Sequence, residues 1–119
     1  MEKACQASGT ELVLFPAHNE GTDHVKLAYR SSGVKMAFWK EAIESLMTAG
    51  IREEDLVAYD CVRHSKPLAG YCGAVMIYGM LYETAPNTAQ IGVDCSGLPK
   101  ETAQRVEDLT MEYIQPYYE

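Results

Sequence analysis

The chain predicts an α+β fold, a two-layer sandwich in which two helices cover one face of a mainly antiparallel sheet in the order ββαβββα. Three observations carry that expectation. His24–Arg30 alternates with period two, placing Val25, Leu27 and Tyr29 on one face and His24, Lys26, Ala28 and Arg30 on the other. Segments 34–49 and 99–115 carry apolar residues at helical spacing. Between them, Pro67–Tyr82 bears no charge and is followed by a turn and a second apolar run, which reads as a hairpin.

The elements follow in order. Residues 1–9 read as a flexible end. Glu11–Phe15 is a strand candidate closed by Pro16, joined through the polar loop 18–23 to the strand 24–30. Ser31-Ser32-Gly33 breaks that strand and offers a cap to the first helix, with Trp39, Ile43, Leu46 and Met47 on its apolar side. Gly50 stands where a left-handed residue closes a helix. Residues 52–55 form an acidic link long enough for one helical turn. Leu56–Arg63 reads as a third strand. Pro99 opens a last helix with an apolar stripe of Ala103, Val106, Leu109 and Tyr113, and Pro116 ends it. The aromatic tail 115–119 is expected to dock on the domain.

For 67–86 a helix is the alternative, with Ser65 as cap, Pro67 in the first turn and Pro86 as terminator. Gly70, Gly73 and Gly79 weigh against it, each costing about 1 kcal/mol relative to alanine inside a helix. The preferred reading makes 73–83 a strand that turns through Ala85–Thr88 into a return strand 89–95. Val75, Ile77 and Leu81 then face the helices, and Met76, Tyr78, Met80 and Tyr82 line the opposite face. Such a row marks an interface, and homo-oligomerisation through it is expected. The alternative is a third layer within the same chain, built from the N-terminal hairpin and the tyrosine tail.

At 119 residues the chain is long enough for one domain, 1–119, that folds alone. The net charge of −7 and the scattered lysines and arginines argue against nucleic-acid binding. They suit a cationic ligand or a basic partner. Cys5, Cys61, Cys72 and Cys95 form no CxxC pair, and the N-terminus lacks the apolar core of a signal peptide. The run 67–82 is too short for a membrane span. A cytoplasmic location with free thiols is expected, with no membrane contact and no cofactor.

Candidate chemistry is sparse. His18 and His24, with Glu20 and Asp23 between them, match no standard zinc spacing, so no metal is expected. Asp60-Cys61-Val62-Arg63-His64 is the densest reactive cluster. On a strand, Asp60 and His64 would lie roughly 13 Å apart, while Cys61 would stand roughly 7 Å from Arg63. Cys61 and His64 are the weak catalytic candidates. Asp94-Cys95-Ser96-Gly97 reads as a helix cap. Arg30, Ser31 and Ser32 make the better anion-binding junction. With Arg63, His64 and Tyr71 they form the candidate ligand-binding set. The tyrosines of the second half read as core and subunit interface, or as a stacking surface.

Two short resemblances accompany this reading. Ala49-Gly-Ile, Asp55-Leu-Val and Cys95-Ser-Gly-Leu-Pro-Lys-Glu-Thr-Ala together resemble the small pyruvoyl-dependent arginine decarboxylases. That family cleaves itself at a serine pair where this chain has Tyr59-Asp-Cys-Val-Arg-His, so its activity would not carry over. The middle region ending Gly97-Leu-Pro99 is similar to the RidA-type imine deaminases, which hold a substrate carboxylate with an arginine shortly after a proline; Pro86-Asn-Thr-Ala89 has none. The two imply opposite secondary structure for 68–83. Both imply oligomers with sites between subunits.

The function expected is that of a small, acidic, homo-oligomeric binding protein holding a small molecule or a basic partner at a subunit boundary. The alternatives are a small-molecule enzyme using Cys61 and His64 at an interface, and an inhibitor or immunity-type protein covering a basic surface.

Overall fold

The structure, a computed structural model, describes residues 2–15, 23, 27, 35–36, 38–60, 64–86 and 98–118. In chain order the elements are α1 (Glu2–Ser8), β1 (Val13–Leu14), β2 (Lys35–Met36), α2 (Trp39–Thr48), α3 (Glu53–Leu56), α4 (Pro67–Tyr82) and α5 (Lys100–Tyr118). The predicted α+β sandwich is therefore incorrect: the described residues form a helical domain. Their only ladder is the two-residue parallel pair β1–β2, with Val13 beside Lys35 and Leu14 beside Met36.

The decisive correction is Pro67–Tyr82, which is a helix and not a hairpin arm. Its buried residues, Ala69, Cys72, Gly73, Val75, Met76, Gly79 and Met80, recur at helical spacing. The glycines that argued against a helix have a tertiary use. A Cβ at Gly79 would collide with Ile114 Cδ1 and stand 3.0 Å from Met111 Sδ, so glycine lets α4 and α5 approach closely. A Cβ at Gly73 would stand 3.1 Å from Trp39 Cε2 and Nε1. Trp39 instead lies flat there. Its Nε1 donates to the Ala69 carbonyl at 2.9 Å, and its ring stacks on Phe15 with centroids 5.2 Å apart. Propensity lost locally is offset by packing, the usual way tertiary context overrides it. The helix ends before Pro86, at Glu83, whose N–H still donates to the Gly79 carbonyl at 2.8 Å and whose left-handed φ of 55° then turns the chain out of the helix.

Helices α2, α4 and α5 pack around one core of Ala42, Ile43, Leu46, Leu56, Ala69, Cys72, Met76, Met80, Val106 and Ile114. The helical stripe expected for α2 holds: Ile43 and Leu46 are buried, and Trp39 and Met47 pack against the core. Its start differs. Phe38 is the N-cap, with no side-chain hydrogen bond at that position, and Ser31–Gly33, expected to cap the helix, lie outside the described residues. Gly50 closes it with φ 100°, as expected. Arg105 of α5 then donates to the Ala49 carbonyl at 2.7 Å, placing a cation on the helix C-terminus.

Other expectations shift. Residues 2–8, expected to be a loose end, are helical. Of 24–30 the structure describes Leu27, which is helical and 67 % exposed instead of lying on the buried face of a strand. Residues 56–60, the described part of the expected third strand, do not form one. Leu56 ends the one-turn helix α3, and Val57 makes a single antiparallel bridge to Ser65. The return strand 89–95 lies outside the described residues. Helix α5 begins after Pro99, whose carbonyl accepts from Ala103 N–H at 3.0 Å. It is not stopped by Pro116 and runs to Tyr118. A proline so close to the end breaks one bond of the ladder and leaves few turns to disrupt. No helix among the described residues is long and apolar enough to cross a membrane.

Two glycine substitutions test this packing. Gly79→Val should destabilise the fold by about 1–3 kcal/mol through overpacking against Ile114 and Met111. Gly70→Ala, whose Cβ meets nothing within 4 Å, should stabilise it by about 1 kcal/mol. Urea denaturation reads both, and equal effects at the two positions would contradict the α4–α5 contact.

Candidate functional site

Helix α4 advances about 100° per residue, so residues two apart point in nearly opposite directions. This splits the row Met76, Tyr78, Met80, Tyr82. Met76 and Met80 turn into the core and are fully buried, while Tyr78 and Tyr82 stand outside with ring centroids 4.7 Å apart. Ile77 and Leu81, expected to face the helices, join the tyrosines on the exposed side. Ile77 is 39 %, Tyr78 36 %, Leu81 54 % and Tyr82 64 % exposed. Gly70 and Ala74 are exposed on the same side. An uncharged helix thus has a second apolar face in water. That face was hidden from the sequence reading because a strand period assigns Ile77 and Leu81 to the interior.

The inner face carries polar pairs. Tyr71 donates its hydroxyl to Glu107 Oε2 at 2.9 Å, and Glu107 is buried. Burial pushes the Glu107 carboxyl above the usual carboxylate range. The Tyr71 hydrogen bond pulls it back, the neighbouring Asp108 carboxylate raises it, and Gln104 lowers it again. Thr110 Oγ1 donates to Cys72 Sγ at 3.4 Å, and burial pushes the Cys72 thiol up to about 11. Cys72 is therefore a neutral core residue near neutral pH and no nucleophile. Tyr113 donates to Glu41 Oε2 at 2.7 Å, tying α5 to α2. Glu107 and Thr110 escaped the sequence reading because it took only the apolar members of the stripe 103–106–107–110–114.

Among the ligand and catalytic candidates, Arg30, Ser31, Ser32, Cys61 and Arg63 lie outside the described residues. So do His18, Glu20, His24 and 94–97. Tyr71 is half-buried, and its hydroxyl donates to Glu107. His64 is exposed. Its separation from Asp60 is far below the 13 Å expected of a strand. Asp60 Oδ2 lies 2.6 Å from His64 Nδ1, and Asp60 Oδ1 accepts the His64 backbone N–H at 3.1 Å. Ala58 N–H donates to the His64 carbonyl at 2.8 Å, which brings these two residues together. The Asp60 carboxylate thus meets both the backbone and the ring of His64, the kind of local contact by which aspartate stabilises a chain reversal.

An open groove of about 500 Å³ runs along α5, lined by Lys100, Glu101, Gln104, Arg105, Asp108 and Leu109. Its charges are mixed, and Arg105 is committed to Ala49. Among the described residues, no three histidines, cysteines or carboxylates could hold a metal ion together. The chain matches no protein-family model, no curated protein and no solved structure. Neither the arginine decarboxylase nor the imine deaminase resemblance gains support from these comparisons.

The burial of Glu107 makes stability depend on pH, with the Tyr71 hydrogen bond opposing part of the effect. The folded state holds the Glu107 proton more tightly than the unfolded chain does. That contribution is full below the unfolded value of about 4.3 and is lost as pH rises through the raised folded value. Glu107→Gln should therefore gain stability relative to the wild type as pH rises across that window, measured by urea denaturation at stepped pH. A difference that stays flat with pH would contradict the assignment.

Proposed function

We propose that the chain is a non-catalytic binding protein that works through protein–protein contact, with the outer face of α4 as its docking surface. One observation carries this reading: α4 is apolar all round, but only its inner half is covered by α2 and α5. A helix apolar on every side is normally buried on every side. Scattered exposed apolar residues need no explanation, but Ile77, Tyr78, Leu81 and Tyr82 are contiguous on one helix surface, and contiguous patches mark contact sites. Tyrosine suits such a surface, since it supplies rigid area with a polar tip. The rest of the chain, at net charge −7, keeps the molecule dispersed and gives the uncharged face contrast.

The reading is tested with an apolar fluorescent dye such as bis-ANS. The native protein at submicromolar concentration should bind it. A double variant Ile77→Lys, Leu81→Lys, whose side chains point to water, should bind far less while melting within a few degrees of the wild type. No dye binding by the native protein, or equal binding by the variant, would overturn the proposal.

A further inference from the structure

We propose that the occupant of this face is a second copy of the chain, docked antiparallel across a two-fold axis that passes between Val75 and Met76. This rests on the reading of the outer face as a docking surface and identifies its partner. Gly70, Ala74, Ile77 and Leu81 follow one another at intervals of four, three and four. On a helix this places them within an arc of about 60°, the seam that two helices share in a coiled coil. Tyr78 and Tyr82 flank it.

The seam is graded in size, small at its N-terminal end and large at its C-terminal end. Antiparallel pairing about its centre sets Gly70 against Leu81 of the second copy and Ala74 against Ile77, each contact made twice by symmetry. Large meets small in every layer. Parallel pairing would oppose Leu81 to Leu81 and leave Gly70 facing Gly70, wedging the helices apart at one end and leaving a void at the other.

Gly70 supports the same pairing independently. The other two glycines of α4 are explained by contacts inside the chain, Gly73 with Trp39 and Gly79 with Ile114 and Met111. A Cβ at Gly70 would meet nothing within 4 Å, although glycine in a helix interior is unfavourable relative to alanine. A close approach from outside the chain gives that glycine a use.

The dipoles of two antiparallel helices also oppose each other favourably. The seam is only about 17 Å long, which is short for a standard interface of about 800 Å² per partner, so the association should be weak and concentration-dependent.

Sedimentation equilibrium from about 1 µM to 1 mM, with melting curves of each variant, tests the pairing. The wild type should pass from monomer to dimer across that range. Gly70→Leu should weaken dimerisation at least tenfold without lowering the melting temperature, because the added side chain would run into Leu81 of the second copy. Adding Leu81→Ala should restore dimerisation by restoring the large–small layer. Dimerisation that survives Gly70→Leu, or a double variant as weak as the single one, overturns the antiparallel register. A wild type that stays monomeric while its outer face binds dye overturns the self-pairing but leaves the docking surface standing. A monomer that binds no dye overturns both.

Discussion

The approach of α4 to α5 at Gly79 is the constraint on which the rest of the structure depends. With no side chain at that position, Ile114 and Met111 settle directly on the α4 backbone, and Ile114 is almost completely buried. Close contact there brings Cys72 beside Thr110 and Tyr71 beside Glu107, so the two helices share polar pairs along their length. α2 then closes the third side. Trp39 lies against Gly73, Tyr113 bonds Glu41, and Arg105 reaches the end of α2 at Ala49. A bulky residue at 79 would separate α4 from α5 and loosen these contacts together, since closely packed interiors adjust poorly to added volume.

The same geometry determines what α4 shows to solvent. Once Ala69, Cys72, Met76 and Met80 are committed to the core, the helical repeat sends Gly70, Ala74, Ile77 and Leu81 to the far side. Nothing in that far side is charged, and nothing in it is needed by the core. The inner polar pairs have the opposite character: Tyr71 and Cys72 bond to Glu107 and Thr110 of α5. The proposed function accordingly uses the apolar outer surface of α4. The Asp60 carboxylate contacts both the backbone and the ring of His64.

The amphipathic helices were legible because their signal is local. α2 and α5 alternate charged and apolar residues at a period that no strand shares, and the buried residues Ile43, Leu46, Ala103 and Val106 fell where that period put them. Pro67–Tyr82 was illegible for a matching reason. A stretch apolar on all sides has no period to read, and the glycines tipped the choice toward a strand by their local cost. The contacts that repay Gly73 and Gly79 come from Trp39, 34 residues before Gly73, and Ile114, 35 residues after Gly79, and are invisible in a local window. That a face of this stretch lacks a partner in the chain was readable from its lack of charge. Which residues form that face was not, because Ile77 and Leu81 exchange places with Met76 and Met80 when the period changes from 2 to 3.6. The Asp60–His64 contact was missed because a strand spanning 56–63 places the two residues far apart.

The central claim is that Pro67–Tyr82 is a helix pressed on α5 through Gly79. The most direct measurement is a nuclear Overhauser spectrum of methyl-labelled protein. The account predicts a strong cross-peak between the Gly79 α-protons and the Ile114 δ1-methyl, with the sequential amide–amide peaks of a helix running from 68 to 82. Strong sequential α-proton to amide peaks across 73–83, with no peak between Gly79 and Ile114, would contradict it.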